Sequence, residues 1–165
     1  MRALWGGVWL VLFRTSPRPL HAWRGALLRL FGARIGKHFH IHASCRIWAP
    51  WQLCVGDHVG VGAGVHFYNM APITVESEAV ISQGAHLCAG THDYNTRAFQ
   101  LVAYPIHIGT QAWICTEAFV GPGVTVPAGC VVGARAVMTR SPQDGAWGVF
   151  AGNPARLIKR RVIRD

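Results

Sequence analysis

"IGTQAWICTEAFVGPGVTVPAGCVVGARAVM", residues 108–138, decides the architecture. Aliphatic side chains recur at Ile108, Ile114, Val120, Val126, Val132 and Met138, always six residues apart. A helix repeats every ~3.6 residues and a lone strand every second residue, so neither sustains a beat of six; the hexapeptide pattern of a parallel β-helix does. Working back toward the N-terminus, the same interval joins Val75, Ile81 and Leu87, and before them Ile35, Ile41, Ile47, Leu53, Val59 and Val65. Small residues stand four places after many beats, at Ala63, Ala79, Ala85, Ala112, Ala118 and Ala136, where a tight corner leaves little room. Glycine often follows the beat, as at Gly60, Gly109 and Gly133, where the backbone turns. Fifteen beats, three to a coil, predict an all-β stack of about five coils at strand spacing, ~4.8 Å each.

The beat slips twice: by four extra residues between Val65 and Val75, and by a longer excursion between Leu87 and Ile108. Insertions in a solenoid project as loops from one side, and loops carry function. The longer one, 90–105, has His92 at its root. A neutral imidazole there accepts a proton near pH 7, as a general base acting on a hydroxyl must. Open solenoid ends need covering. Residues 1–34, with "HAWRGALLRLFGA" (21–33) reading as an amphipathic helix closed by Gly32, form an N-terminal helical cap on the β-helix of 35–150, and 151–165 form a short basic tail.

At 165 residues the chain suits one domain, and 51% hydrophobic against 14% charged residues, with 19 glycines and 9 prolines, fits strands and turns rather than long helices. The net charge of +9 is uneven: eight Arg/Lys precede the first acidic residue, Asp57, and five lie between Arg156 and Asp165. Basic ends attract phosphate in nucleic acid, in anionic lipid or in a phosphorylated cofactor. With no zinc-finger spacing, RRM-like signature or basic-aromatic interleaving, nucleic acid is not an expected partner. Five cysteines without a C-x-x-C pair read as buried apolar residues in a reducing compartment. The apolar run "ALWGGVWLVLF" (3–13) is followed by "RTSPRP", not by a small-residue cleavage site, and is shorter than the ~20 residues of a membrane span. A cytoplasmic protein is expected, its front end either lying peripherally on the inner membrane surface or packing on its own domain or a neighbouring subunit.

The stretches "FYNMAPITVESEAVISQGAHLCAGTHDYNTRAF" (67–99), "PIHIGTQAWICTEAFVGPGVTVPAGCVVGARAVMTRS" (105–141) and "GNPARLIKR" (152–160) resemble the hexapeptide-repeat O-acetyltransferases, which include galactoside, maltose and nodulation-factor acetyltransferases. "SPRPLHAWRGALLRLFGARIG" (16–36) and "RIWAPWQL" (46–53) are similar to their colanic acid biosynthesis branch, which acetylates sugars during exopolysaccharide assembly. The resemblance implies a left-handed parallel β-helix, a homotrimer, and direct acetyl transfer from acetyl-CoA, without metal, to a sugar or polysaccharide-precursor acceptor. It places His92 as the catalytic base and Asn69 as the residue that positions the acceptor or the tetrahedral adduct. Trp113 matches a tryptophan of the acetyl-CoA site, Thr116 and Ala134 match positions along the pantetheine arm, and Arg140 and Arg156 match basic positions near the cofactor phosphates. The segment from Asn69 to His92 is shorter than in the galactoside and maltose enzymes, and the acidic residue that grips their acceptor has no counterpart. Asp93 is given no relay role and Cys115 is read as packing.

Two other functions use the same fold. A γ-class carbonic anhydrase-like zinc enzyme needs three histidines, two of them spaced H-x4-H; no two histidines here have that spacing, and "HFHIH" (38–42) offers at most His38, His40 and His42 on one face. A non-catalytic trimeric scaffold would need none of His92, Asn69, Trp113 and the basic tail together.

Overall fold

The computed structural model describes residues 1–163; Arg164 and Asp165, the end of the expected 151–165 tail, lie outside the described residues. The chain winds through three parallel sheets, the faces of a prism. The first coil is Arg34–Ile35, His40–Ile41 and Arg46–Ile47; the fifth is Thr125–Val126, Val131–Val132 and Val137–Met138. Gly148–Ala151 adds a sixth strand to the second face, and Arg156–Arg160 folds back antiparallel on it. The stack is therefore five complete coils and the start of another.

The inward side chains stack rung upon rung. The first face carries Ile35, Val55, Val75, Ile108 and Val126. On the second are Ile41, Val61, Ile81, Ile114, Val132 and Phe150, and on the third Ile47, Phe67, Leu87, Val120 and Met138. All but Ile35 are buried, each such side chain contributing roughly 1.5–3 kcal/mol.

The second coil corrects the register expected from the beat. Val55, Val61 and Phe67 occupy its rungs, not Leu53, Val59 and Val65, which point inward two residues earlier. Two positions of every six face the interior. In later coils the earlier one is usually alanine, as at Ala79, Ala85, Ala112 and Ala118, whereas in the second coil both are aliphatic and the beat reads equally well in either phase. The single slip of four residues is thus two slips of two: Ile47 to Val55 and Phe67 to Val75 each span eight residues. Both fall at the corner from the third face to the first, where the 90–105 excursion also lies; at the other two corners the step stays six throughout.

At the first-to-second corner His38, His58, Glu78, Gln111, Gly129 and Trp147 all take left-handed φ between 52° and 65° and sit one above another, and from His58 onward each N–H is bonded to a carbonyl of the preceding coil. Gly129 has no substitute there, because a Cβ would overlap the Trp147 ring.

The open end of the first coil is covered by α1 (Arg2–Val8), a π-helical turn Trp9–Phe13, and α2 (His21–Leu30). The Trp5 and Trp9 indoles donate to the carbonyls of Ile47 (2.7 Å) and Cys45 (2.8 Å). Arg24 is fully buried and donates to the carbonyls of Ile41, Pro17 and Arg18 and to Ser16 Oγ, at 2.7–2.9 Å. The cap thus packs on its own stack, while Leu4, Leu10, Val11 and Leu12 remain exposed. The five cysteines are free; burial pushes the Cys45 and Cys130 thiols up to about 12 and raises that of Cys115, which suits packing and not nucleophilic work.

Candidate active site

After His86–Cys88 the chain leaves the third face. Gly90–His92 pairs antiparallel with Leu101–Ala103, and the chain rejoins the first face at Ile106–Ile108. His92, opposite Leu101, is the last rung of this hairpin and is exposed. Its ring stacks on Phe99 (centroids 4.4 Å apart, planes 8° apart), and Nδ1 lies 2.8 Å from the Phe99 carbonyl oxygen. A carbonyl only accepts, so in the neutral ring this contact assigns the proton to Nδ1 and leaves the Nε2 lone pair free. That tautomer takes a proton from an alcohol. Asp93 turns its Oδ1 to the Asn95 N–H (3.1 Å), in a turn and not a relay.

Asn69 lies one residue past the Tyr68–Cys88 rung, level with the base of the hairpin. It is fully buried; its Oδ1 accepts from the Ala49 N–H (3.0 Å) and its Nδ2 donates to the Ala49 carbonyl (2.6 Å). The carboxamide thus joins the two corner insertions. The Tyr68 carbonyl accepts from Ala89 N–H at 3.0 Å, and a Cβ on Gly90 would come within 2.8 Å of the Tyr68 ring and 2.9 Å of Met70 Sδ. Glycine at 90 is what lets the hairpin leave beside Tyr68.

Trp113 is on the second face, between Val80 and Val131, 45% exposed, its indole N–H donating to Ser82 Oγ at 2.8 Å. It borders an open cleft of about 690 Å³ with Glu78, Gln111, Trp147 and Arg161. Thr116 and Ala134 are stacked at the second-to-third corner, two residues beyond the Ile114–Val132 rung. Arg156 opens the strand that folds back on the second face, and Arg140 follows the last rung of the third face; both are exposed. Trp113, Thr116, Ala134 and Arg156 therefore gather on the second face and its edge. His92 stands at the third-to-first corner, the edge of the prism opposite that face.

A second set of residues escaped the sequence reading. Between α1 and the third face is a cavity of about 960 Å³ lined by Arg2, Trp9, Arg46, Trp48, His66 and Tyr68. Trp48 and Tyr68 meet edge to face at 5.1 Å and 62°, and Arg2 lies 3.7 Å from the centre of the Trp48 ring. His66 stacks on His86 at 4.6 Å; burial, then His86 and Arg46, hold its pKa below the usual imidazole range. The available signal was a 20-residue spacing, one coil, that sets Arg46 against His66 and Trp48 against Tyr68 on the outer side of one face.

The "HFHIH" histidines disperse. His38 stacks on His58 (4.5 Å), His40 faces His21 (4.8 Å), and His42 Nδ1 is 2.8 Å from Ser44 Oγ. Among the described residues no three His, Cys, Asp or Glu side chains are placed to share a metal ion.

No family model matches the chain. It is 45% identical over 159 residues to the Escherichia coli K12 protein WcaF, named for acetyl transfer in colanic acid biosynthesis, a match covering 96% of this chain and 86% of that protein. Among solved structures, a maltose O-acetyltransferase from Clostridium difficile superposes with a TM-score of 0.88 at 22% identity, covering 98% of this chain and 87% of that one. A hexapeptide-repeat acetyltransferase from Vibrio cholerae, complexed with acetyl coenzyme A, gives 0.86 at 23% identity with the same coverages. The structural likeness fixes the fold as a left-handed β-helix. The identity to WcaF, sustained over nearly the whole of both proteins, goes further: the chain belongs to the hexapeptide-repeat acetyltransferase family.

Proposed function

We propose that this acetyltransferase moves the acetyl group of acetyl-CoA directly onto a sugar hydroxyl during assembly of a colanic-acid-like exopolysaccharide, with His92 as general base. The observation that carries this is the Nδ1 contact of His92 with the Phe99 carbonyl, which aims a free Nε2 out of an exposed hairpin. Nε2 takes the hydroxyl proton as the sugar oxygen attacks the thioester carbonyl. The tetrahedral adduct collapses, the C–S bond breaks, and the imidazolium returns its proton to the departing thiolate, giving the acetyl ester and CoA. No acyl-enzyme forms, in keeping with buried, poorly ionised cysteines. The names of the relatives support a sugar acceptor and acetyl-CoA as donor.

Asn69 is assigned as a positioning residue: through Ala49 it holds the Tyr68–Met70 backbone against Gly90 and so fixes the hairpin base. Trp113, Thr116 and Ala134 are assigned to the acetyl and pantetheine path, and Arg140 and Arg156 to the cofactor phosphates. Because His92 and Trp113 occupy an edge and the face opposite it, a complete site needs two copies, and a closed ring of three satisfies every edge and face alike. A monomeric mass by light scattering, with full activity, would contradict this arrangement.

Among the described residues no helix is long and apolar enough to cross a membrane. Exposed Leu4, Leu10, Val11 and Leu12, with Arg14 and Arg18 just beyond, support a cytoplasmic protein lying peripherally on the inner membrane. Co-sedimentation with anionic but not neutral vesicles is the expected result. The function itself is tested by thiol release from acetyl-CoA against free sugars, nucleotide sugars and lipid-linked oligosaccharides; silence across the whole panel would overturn it.

A further inference from the structure

Resting on the acetyl-transfer reading above, we propose that the cavity between α1 and the third face is the acceptor pocket and that it selects sugars carrying an anionic group, a phosphate ester or a carboxylate. Its volume, about 960 Å³, lies within the usual range for small-ligand pockets, roughly 300–1,000 Å³. Trp48 and Tyr68 supply an aromatic wall against which the polarised C–H groups of a pyranose can pack, with one face of Trp48 already covered by Arg2.

Charge sets the class of sugar. Arg2 is held over the Trp48 ring, and Arg46 lies 5.9 Å from the centre of the Trp9 ring. Neither pairs with a carboxylate: the ion pairs among the described residues are His107–Glu76 and Arg135–Glu117. No aspartate or glutamate lines the cavity. Two arginines lining one cavity with no acid among its walls give it a positive charge and two guanidinium donors, which favour a phosphate or carboxylate over a neutral sugar. His66, kept uncharged by burial, adds a hydrogen-bonding partner and not a third cation.

Position connects the cavity to the chemistry. The Tyr68 ring forms one wall of the cavity and also rests where a Cβ of Gly90 would project. Gly90 and His92 are alternate residues of one strand, so their side-chain directions lie on the same side of the hairpin, roughly 7 Å apart along it. The cavity and the hairpin that carries His92 thus share the Tyr68 ring, so a sugar held there lies beside the base of that hairpin.

The test is calorimetry on the full chain with glucose 1-phosphate, glucuronate and methyl glucoside, paired with acetyl-transfer kinetics. The anionic sugars should bind tenfold or more tighter than methyl glucoside. Arg46→Gln and Arg2→Gln, at exposed positions, should erase that preference and raise KM for an anionic acceptor tenfold or more, leaving KM for acetyl-CoA unmoved. Trp48→Ala should weaken all three sugars. A uridine diphosphate sugar, a polyprenyl-diphosphate sugar and a uronate-containing oligosaccharide, compared as acceptors, tell which source supplies the anion. Equal binding of methyl glucoside and glucose 1-phosphate, or an Arg46→Gln protein with its preference intact, overturns the pocket assignment even if acetyl transfer proceeds. Anion-selective binding without thiol release from any acceptor would instead overturn the acetyl-transfer reading.

Discussion

Replacing His92 by alanine tests the proposed proton-transfer step. The imidazole is exposed, and its contacts in the chain are the Nδ1 bond to the Phe99 carbonyl and the stack on the Phe99 ring. Losing an exposed hydrogen bond and one aromatic contact costs about 1–2 kcal/mol at most, borne by the two-stranded hairpin and not by the coils. Loss of the general base raises the barrier far more: a factor of 10²–10⁴ in rate, roughly 3–5 kcal/mol. Stopped assays of thiol release at saturating acetyl-CoA should therefore show kcat reduced at least a hundredfold. KM for acetyl-CoA should stay near wild type, and the urea midpoint should move little. Added imidazole, entering the vacated space, should restore part of the rate. An alanine variant that turns over within threefold of wild type, with its hairpin intact by amide exchange, would show that Nε2 does not carry the proton and would remove the basis of the mechanism.

Asn69→Ala should destabilise the fold by about 2–4 kcal/mol in denaturant titration, since both polar groups of Ala49 lose their buried partner; Asn69→Asp should be worse, because a second acceptor would face the Ala49 carbonyl. Gly90→Ala must displace the Tyr68 ring and Met70, so kcat should fall tenfold or more while the melting temperature changes by only a few degrees. The pH dependence of stability follows from His66 and His86, whose pKa values burial lowers. A lowered folded value means the unfolded chain binds more protons, so stability is full above the unfolded imidazole value of about 6.5 and falls as the pH drops through the folded values. Melting curves between pH 7.5 and 5 should show this acid limb, and the double variant His66→Gln/His86→Gln should flatten it; an unchanged slope would mean the stacked pair is not its source.

The regular coils were legible because each repeats one short rule, and at residues 108–138 nothing interrupts it. The second coil misled in phase because Val59 beside Val61 and Val65 beside Phe67 offer two aliphatic series, and only backbone pairing chooses between them. His92 was legible as the place where the rule stops. The pairing of Asn69 with Ala49 was not, since its partner lies one coil back across two irregular corners. The cavity was hidden for a related reason: α1 and two successive coils supply its walls, and the way the cap docks is set by indole-to-carbonyl bonds that carry no periodic signature.

Every departure from the six-residue step through the five coils falls on a single edge of the prism, while the other two edges keep constant spacing. Lengthening or trimming the chain there leaves all rungs in phase. If the proposed acetyl transfer holds, the acceptor contacts made by those corner segments are free to drift along that seam, independent of the flanks that would grip a donor common to every reaction, so a change there asks for a rebuilt hem and not a new fabric.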